Sequence, residues 1–354
     1  MKAPTCKSLP RTESFFGLHF DFHALPDNEP IGGRPFASDL ARMLRQVKPD
    51  YVQCDCKGHQ GVASYPTKVG TPAPVFQGDA LHVWRDETAK AGVGLFMHVS
   101  GVWDIAALVK NPAWALVNDK GGRDPNNTSV FGPYWKELLV PQLAEVRENY
   151  GIDGVWIDGD CWATCQDYSP AVLKEFRRLT GIKKVPRKPG DEGFFEFTEF
   201  CREGFRVYLR NWVDALHERC PGIQIASNWS FSSFMPEPVS ADVDFLSGDY
   251  ALCNSVTSAR FEGRCLMHQG IPWDLMAWAF GAKSLKDCFS QKSALQLKRE
   301  AAVVLALGGG FQMYFQQRRD GSFPEHEIPT MTEVAKFCRA RQKFCHKAES
   351  IPQV

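Results

Sequence analysis

No apolar run in this sequence approaches the ~20 residues that cross a bilayer, and the opening Met1-Lys-Ala-Pro-Thr-Cys-Lys-Ser-Leu-Pro10 lacks a signal-peptide core. Neither membrane insertion nor export is expected. An excess of either charge is missing too: Lys+Arg and Asp+Glu both number 41, and no basic block stands out. That balance argues against nucleic acid as a partner. Twelve cysteines are present, but scattered and without a disulfide framework, as suits reduced thiols in a cytoplasmic protein. Cys161-x-x-x-Cys165 lacks the two further ligands of a zinc site. Gly308-Gly-Gly310 lies between a helix and a strand instead of opening a helix, so it reads as a helix stop and not a phosphate loop. No cofactor or metal is expected.

What the chain does have is length for one large barrel or two ordinary domains, at 354 residues. It also has 10 Trp and 25 Phe, which serve either as core or as faces that stack on sugar rings. The organising stretch is Tyr150-Gly-Ile-Asp-Gly-Val-Trp-Ile-Asp-Gly-Asp160, a buried strand that runs into a carboxylate. Strand alternation puts Trp156 and Asp158 on one face, with Val155 and Ile157 on the other. An acid at the C-terminal tip of a buried parallel strand is where a (β/α)₈ barrel keeps its catalytic groups. The plainer alternative is that Asp158 caps a turn or pairs with a neighbouring base.

Around it, strand and helix alternate at regular intervals, which means parallel crossovers. Strands are expected over 15–24, 50–56, 93–100, 152–157, 223–227 and 243–249, then at 264–268, perhaps extending towards Asp274, and at 308–316. Helices are expected over 38–47 with Ser38 as N-cap, 79–91 stopped by Gly92, 135–149, 169–179, 194–219, 293–307 and 332–345. Eight strands in one unrepeated run indicate a TIM barrel over 15–346, with a small helical insertion near 160–192. Tails are expected at 1–14 and 347–354, the latter reading as the start of a further domain.

Polar residues gather at the expected C-terminal strand ends. His19, Asp21 and His23 share the polar face of strand one, then come His59, Trp103, Asp158, Asp160, Asn228, Trp229, Asp249 and Asp274. Several acids, several indoles and an Asn form the inventory of a glycoside hydrolase, which needs two carboxylates across the anomeric carbon. Aromatic faces would stack on the sugar while His and Asn hydrogen-bond its hydroxyls.

These motifs resemble the catalytic barrel of the α-L-fucosidases and related glycoside hydrolases. That family's fourth strand ends in Trp-Phe-Asp-Gly, matched by Trp156-Ile-Asp-Gly159, which implies Asp158 as nucleophile of a retaining mechanism. Its second strand ends in Lys-His-His-Asp-Gly-Phe. Lys57-Gly-His-Gln-Gly-Val62 matches in part, carrying sugar binding to His59 and replacing the first His by Gly58. Ser100 and Trp103 match a Ser-then-Trp after strand three, Gly248-Asp-Tyr250 a Gly-Asp-Tyr, and Trp273-Asp274 a later Trp-Glu. The family's His-Trp-Gly on strand one is replaced by Asp21-Phe22-His23, and an expected Glu falls on Asn254.

The resemblance therefore implies a fucosidase-like exo-glycosidase acting on an oligosaccharide or glycoside. Asp158 would be the nucleophile, with Asp249 or else Asp274 as the acid/base. His19, Asp21, His23, His59, Trp103, Asp160, Asn228 and Trp229 would contact substrate. A sugar-binding barrel without a proton donor is one alternative. A metal-dependent amidohydrolase using His19 and His23 is another, although strands five and six supply no histidine to complete it. The oligomeric state is left open, a homo-oligomer included.

Overall fold

The computed structural model describes residues 8–282, 289–349 and 351. Eight strands form the centre: β1 (Phe16–Asp21), β2 (Tyr51–Lys57), β3 (Gly94–Ser100), β4 (Gly154–Asp158), β5 (Gln224–Ser227), β6 (Leu246–Asp249), β7 (Trp273–Trp278) and β8 (Gly310–Gln316). They pair in parallel in the order β5-β4-β3-β2-β1-β8-β7-β6, β1 closing on β8. The ladder is interrupted between β5 and β6. There two backbone hydrogen bonds bring the edges together, Asp244 N–H to the Ile225 carbonyl at 2.9 Å and Trp229 N–H to the Ser247 carbonyl at 3.2 Å. This is a (β/α)₈ barrel.

The helices that complete it are α1 (Ala37–Val47), α2 (Ala80–Ala91), α3 (Val140–Tyr150), α4 (Pro170–Thr180), α5 (Phe194–Arg219), α6 (Ser255–Leu266), α7 (Ala294–Ala306) and α8 (Ile328–Arg339). Turns over 228–245 join β5 to β6. Among the described residues no helix is long and apolar enough to cross a membrane. Helix α1 buries Leu40, Met43, Leu44 and Val47 at helical spacing. It starts at Ala37, so Ser38 sits inside its first turn and is not the N-cap. Helix α2 is capped by Asp79, whose side chain accepts from the His82 N–H, and stops at Gly92 in the left-handed conformation.

One expected strand is corrected. Residues 264–266 are the last turn of α6, and Leu266 continues its buried face from Ser255, Ala259 and Glu262. The repeat of three to four residues outranks a short apolar segment. Strand seven starts later, at Trp273.

Alternation along each strand divides the core in two. Outward side chains such as Val155, Ile157, Leu95 and Met97 pack beneath the helices. Inward ones, among them Tyr51, Phe96, Trp156, Phe245, Met276 and Tyr314, fill the barrel. The N-terminal end is plugged by Arg11. Its guanidinium lies 3.5 Å from the centre of the Tyr51 ring and donates to Asp274 at 2.9 Å. The segment between β4 and β5 has a cluster of its own, with Val172 and Phe176 of α4 against Phe197 and Cys201 of α5. Of the expected tails, 1–7 and 352–354 lie outside the described residues, as does 350.

Candidate active site

The mouth at the C-terminal ends of the strands brings together Asp21 at the end of β1, His23 after it, His59 after β2, His98 on β3, Asp158 on β4, Asn228 and Trp229 after β5, and Asp249 on β6. Asp158 is inward, as alternation requires, directly above Trp156. Asn228 Nδ2 donates to Asp158 Oδ1 at 2.8 Å and lies 3.5 Å from Asp249 Oδ1. One amide thus bridges two carboxylates. The two distances added together cap the gap between those oxygens below the ~6.5 Å at which inverting pairs begin.

The two acids stand in opposite electrostatic settings. Burial raises Asp158, but the His98 hydrogen bond, the charges of His59 and His98 and the Asn228 amide outweigh it. They hold this carboxyl well below the usual range. Asp249 is pushed up to about 7, first by burial and then by the charge of Asp158, with hydrogen bonds from Trp278 and Asn228 opposing. Trp278 Nε1 donates to Asp249 Oδ2 at 2.8 Å, and Trp229 Nε1 donates to the Asp249 carbonyl at the same distance. At neutral pH one acid is ionised and its neighbour can carry a proton.

Backbone geometry makes room for these contacts. Trp229 sits at φ 60, a left-handed conformation uncommon for a bulky residue. A Cβ at Gly248 would come within 2.8 Å of the Trp229 ring. Gly248 therefore lets the indole reach across β6.

His98, which sequence reasoning missed, ties the floor of the site together. Its Nε2 lies 3.3 Å from Asp158 Oδ2 and its Nδ1 lies 3.6 Å from Asp55 Oδ1. Burial lowers His98, yet Asp21, Asp158 and Asp55 raise it well above the ordinary imidazole value. Its signal was the alternation Phe96-His98-Ser100, which places it inward beside Trp156 in register. His59 behaves differently, because burial pushes it down to about 4. Ser100 donates its hydroxyl to the Trp103 carbonyl at 2.6 Å and so accepts from His59 Nδ1 at 2.7 Å. That tautomer turns an Nε2 lone pair towards Asp158 Oδ2, 3.3 Å away. The Nε2 lone pair is thereby left as an acceptor for a hydroxyl donor at the mouth. Trp103 stacks on His59 with centroids 4.7 Å apart, and Trp162 follows at 5.0 Å from Trp103.

Three expected site residues do not reach the mouth. Asp274 opens β7 at the opposite end of the barrel, paired with Arg11 and accepting from Ser247 Oγ at 2.6 Å. It was misplaced because its strand was drawn too early. Asp160 is fully buried behind β4, where Tyr208, Ser227 and the Val102 N–H donate to it. Gly159, at φ 77, ends the strand's alternation and turns Asp160 away. A Cβ at Gly101 would lie 2.0 Å from Asp160 Oδ1, so the carboxyl sits tight against the chain. His19 is also fully buried, one layer below Asp21, bonded to Asp21 Oδ2 and to Gln53. It supports Asp21 and cannot itself touch a ligand.

Two departures from the fucosidase motifs prove to be one. A Cβ at residue 58 would come within 2.6 Å of His23 Cβ. The His23 side chain thus occupies the room that a residue larger than Gly58 would need, and the imidazole stands 4.8 Å from the His59 ring. Lys57 lies outside the site, buried and donating to Asp104 at 2.8 Å and Tyr134 at 2.7 Å. Asn254, where the motif expects Glu, is the exposed residue preceding α6.

Among the described residues Asp21, His23 and His98 alone have metal-ligand spacing, with one ligand atom from each within 4.8 Å of the others. Asp21 already accepts from Tyr314 at 2.6 Å and contacts both His19 and His23. Its oxygens are spent within a network of carboxylates and imidazoles.

An α-L-fucosidase isoenzyme from Paenibacillus thiaminolyticus superposes over 96% of this chain with a TM-score of 0.76. The barrel is fucosidase-like in fold. Identity to that enzyme is 17%, and the chain spans about half its length, 51%. A Bacteroides thetaiotaomicron α-L-fucosidase matches over 99% of this chain and 78% of its own at 16% identity and TM-score 0.60. A β-galactosidase from Marinomonas ef1 shares the fucosidase-like fold at 14% identity, covering 93% of this chain and 60% of its own, with TM-score 0.66. No family model matches the sequence, and no curated protein does.

Proposed function

We propose that this protein is a retaining glycoside hydrolase, with α-L-fucosidase-like removal of a terminal sugar as its activity. The observation that carries the reading is the pair Asp158 and Asp249, one held ionised and the other held near neutrality, linked by one Asn228 amide. Paired acids pushed apart in this way divide into nucleophile and general acid.

A carboxylate oxygen of Asp158 attacks the anomeric carbon as the glycosidic C–O bond breaks, and the Asp249 proton passes to the departing oxygen. Water then attacks the glycosyl ester, Asp249 takes the water's proton, and the sugar leaves with Asp158 ionised again. His98 stabilises the ionised nucleophile. The His59 lone pair accepts from a sugar hydroxyl, and Trp103 backs His59. Free thiols at the described cysteines accord with a reducing, cytoplasmic setting, which is part of the same reading.

The test is a pair of substitutions assayed on aryl glycosides, α-L-fucosides first. Asp158→Asn keeps the fold and abolishes turnover, while azide restores activity to Asp158→Gly. Asp249→Ala slows substrates with poor leaving groups far more than activated ones. Near-wild-type rates in Asp158→Asn, or equal slowing of both substrate types in Asp249→Ala, sink the reading.

A further inference from the structure

Beside Asp249 a cavity of about 630 Å³ opens to solvent, walled by Trp229, Phe234, Tyr250, Phe261 and Trp278. It includes Asp249 but not Asp158, His59 or His98, so it lies on the proton donor's side of the site. That is the side into which a leaving group departs. Its walls have few polar atoms left to offer. The Trp229 and Trp278 indoles both donate to Asp249, and the Tyr250 hydroxyl donates beneath the wall to Glu300 at 2.9 Å. Glu262 accepts from the hydroxyl and the N–H of Ser233. Beyond Asp249 itself, the described lining side chains then offer the hydroxyls of Thr257 and Ser258, in the first turn of α6, and the remaining lone pairs of Glu262.

The apolar surfaces, by contrast, are free. Phe261 is 61% exposed and Phe234 52%, and Phe234 stacks on Trp229 at 4.5 Å. These exposed rings line a cavity that runs directly to a candidate acid. A sugar placed there could set its apolar face on one ring, but its hydroxyls would find few hydrogen-bonding partners in the walls. A flat apolar group would instead bury its faces against the aromatic rings of the wall, in a volume within the range of small-molecule sites.

We propose that this cavity binds the aglycone and that the substrate class is the glycoside of a planar, apolar alcohol, not a sugar–sugar linkage. The inference rests on the hydrolase reading above. Sugar recognition by His59 and Asn228 and aglycone recognition by Phe234 and Phe261 then occupy opposite sides of the two carboxylates.

The test compares three substrates on the intact chain: α-L-fucosyl fluoride, 2-naphthylmethyl α-L-fucoside and a fucosyl-galactose disaccharide. The last two both release alkyl alcohols, so their ratio reports the pocket and not leaving-group chemistry. The naphthylmethyl glycoside is expected to have a kcat/KM about tenfold or more above the disaccharide's. Phe261→Ser cuts that ratio about fivefold, mainly through KM, and Phe261→Trp preserves it. Hydrolysis of the fluoride with the disaccharide equal or preferred overturns the inference alone, as does a Phe261→Ser that lowers both substrates alike. If the fluoride is not hydrolysed, the hydrolase reading fails and the inference with it.

Discussion

Replacing Trp278 by Phe should widen the pH range of the proposed activity towards alkali. Trp278 Nε1 donates to Asp249 Oδ2 at 2.8 Å, and that bond opposes the burial and the Asp158 charge that push Asp249 up to about 7. Such a bond is worth about 1.5–3 kcal/mol to an ionised acceptor and about 0.5–1.5 to a neutral one. Its loss therefore costs the ionised form roughly 1–1.5 kcal/mol more, or about one pKa unit at 1.36 kcal/mol per unit. Asp249 must hold its proton to act as an acid, so activity falls as pH rises through its pKa. The basic limb of kcat/KM should shift from near 7 to about 8 in the variant. The acidic limb belongs to Asp158, held well below the usual carboxylate range, and stays where it is. The assay is kcat/KM against pH with a poor leaving group. The height of the profile also reports the ring's packing in the cavity, so only the limb's position counts. A basic limb that stays put or moves down refutes the assignment of Asp249.

Other outcomes follow from neighbouring contacts. His59→Ala should weaken a monosaccharide inhibitor by about 1–3 kcal/mol, read as its inhibition constant; an unchanged constant places His59 outside the site. Asp274→Ala strands the buried Arg11 and should cost about 3–5 kcal/mol in urea unfolding, while the ratio of rates on poor and activated leaving groups stays at the wild-type value. A changed ratio would return Asp274 to the chemistry. Asp160→Asn concerns stability alone. Burial pushes Asp160 up to about 7, so its contribution is intact at acid pH and is lost as pH rises through that value. The thermal midpoint should fall less between pH 5 and pH 8 in the variant than in the wild type, and equal falls would refute it.

Where one local period governed, the sequence was legible. Val155 and Ile157 outward with Trp156 and Asp158 inward follow from alternation alone, and so does the helical face of α1. Where the chain changes period, expectation failed. Residues 264–266 are apolar enough for a strand but lie in phase with α6, and the error displaced Asp274 to the wrong end of the barrel and hid Trp278. Asp160 was grouped with the polar strand ends, but the left-handed turn at Gly159 carries it away from the mouth. Depth was illegible as well: His19 and Asp21 share a face, but one more step down the barrel wall puts His19 beneath its neighbour. The dependence of Gly58 on His23 joins residues from two strands and leaves no local trace.

The interrupted ladder between β5 and β6 has a consequence for the distance between the acids. Asp158 is carried by β4, which is paired on both sides, with β3 and with β5. Asp249 is carried by β6, which is laddered only to β7 and meets β5 through two main-chain bonds. Any opening or sliding along this seam would change the distance between Asp249 and Asp158. The spacing that separates retention from inversion is therefore held by the weakest junction in the ring, with the Asn228 amide as its clasp.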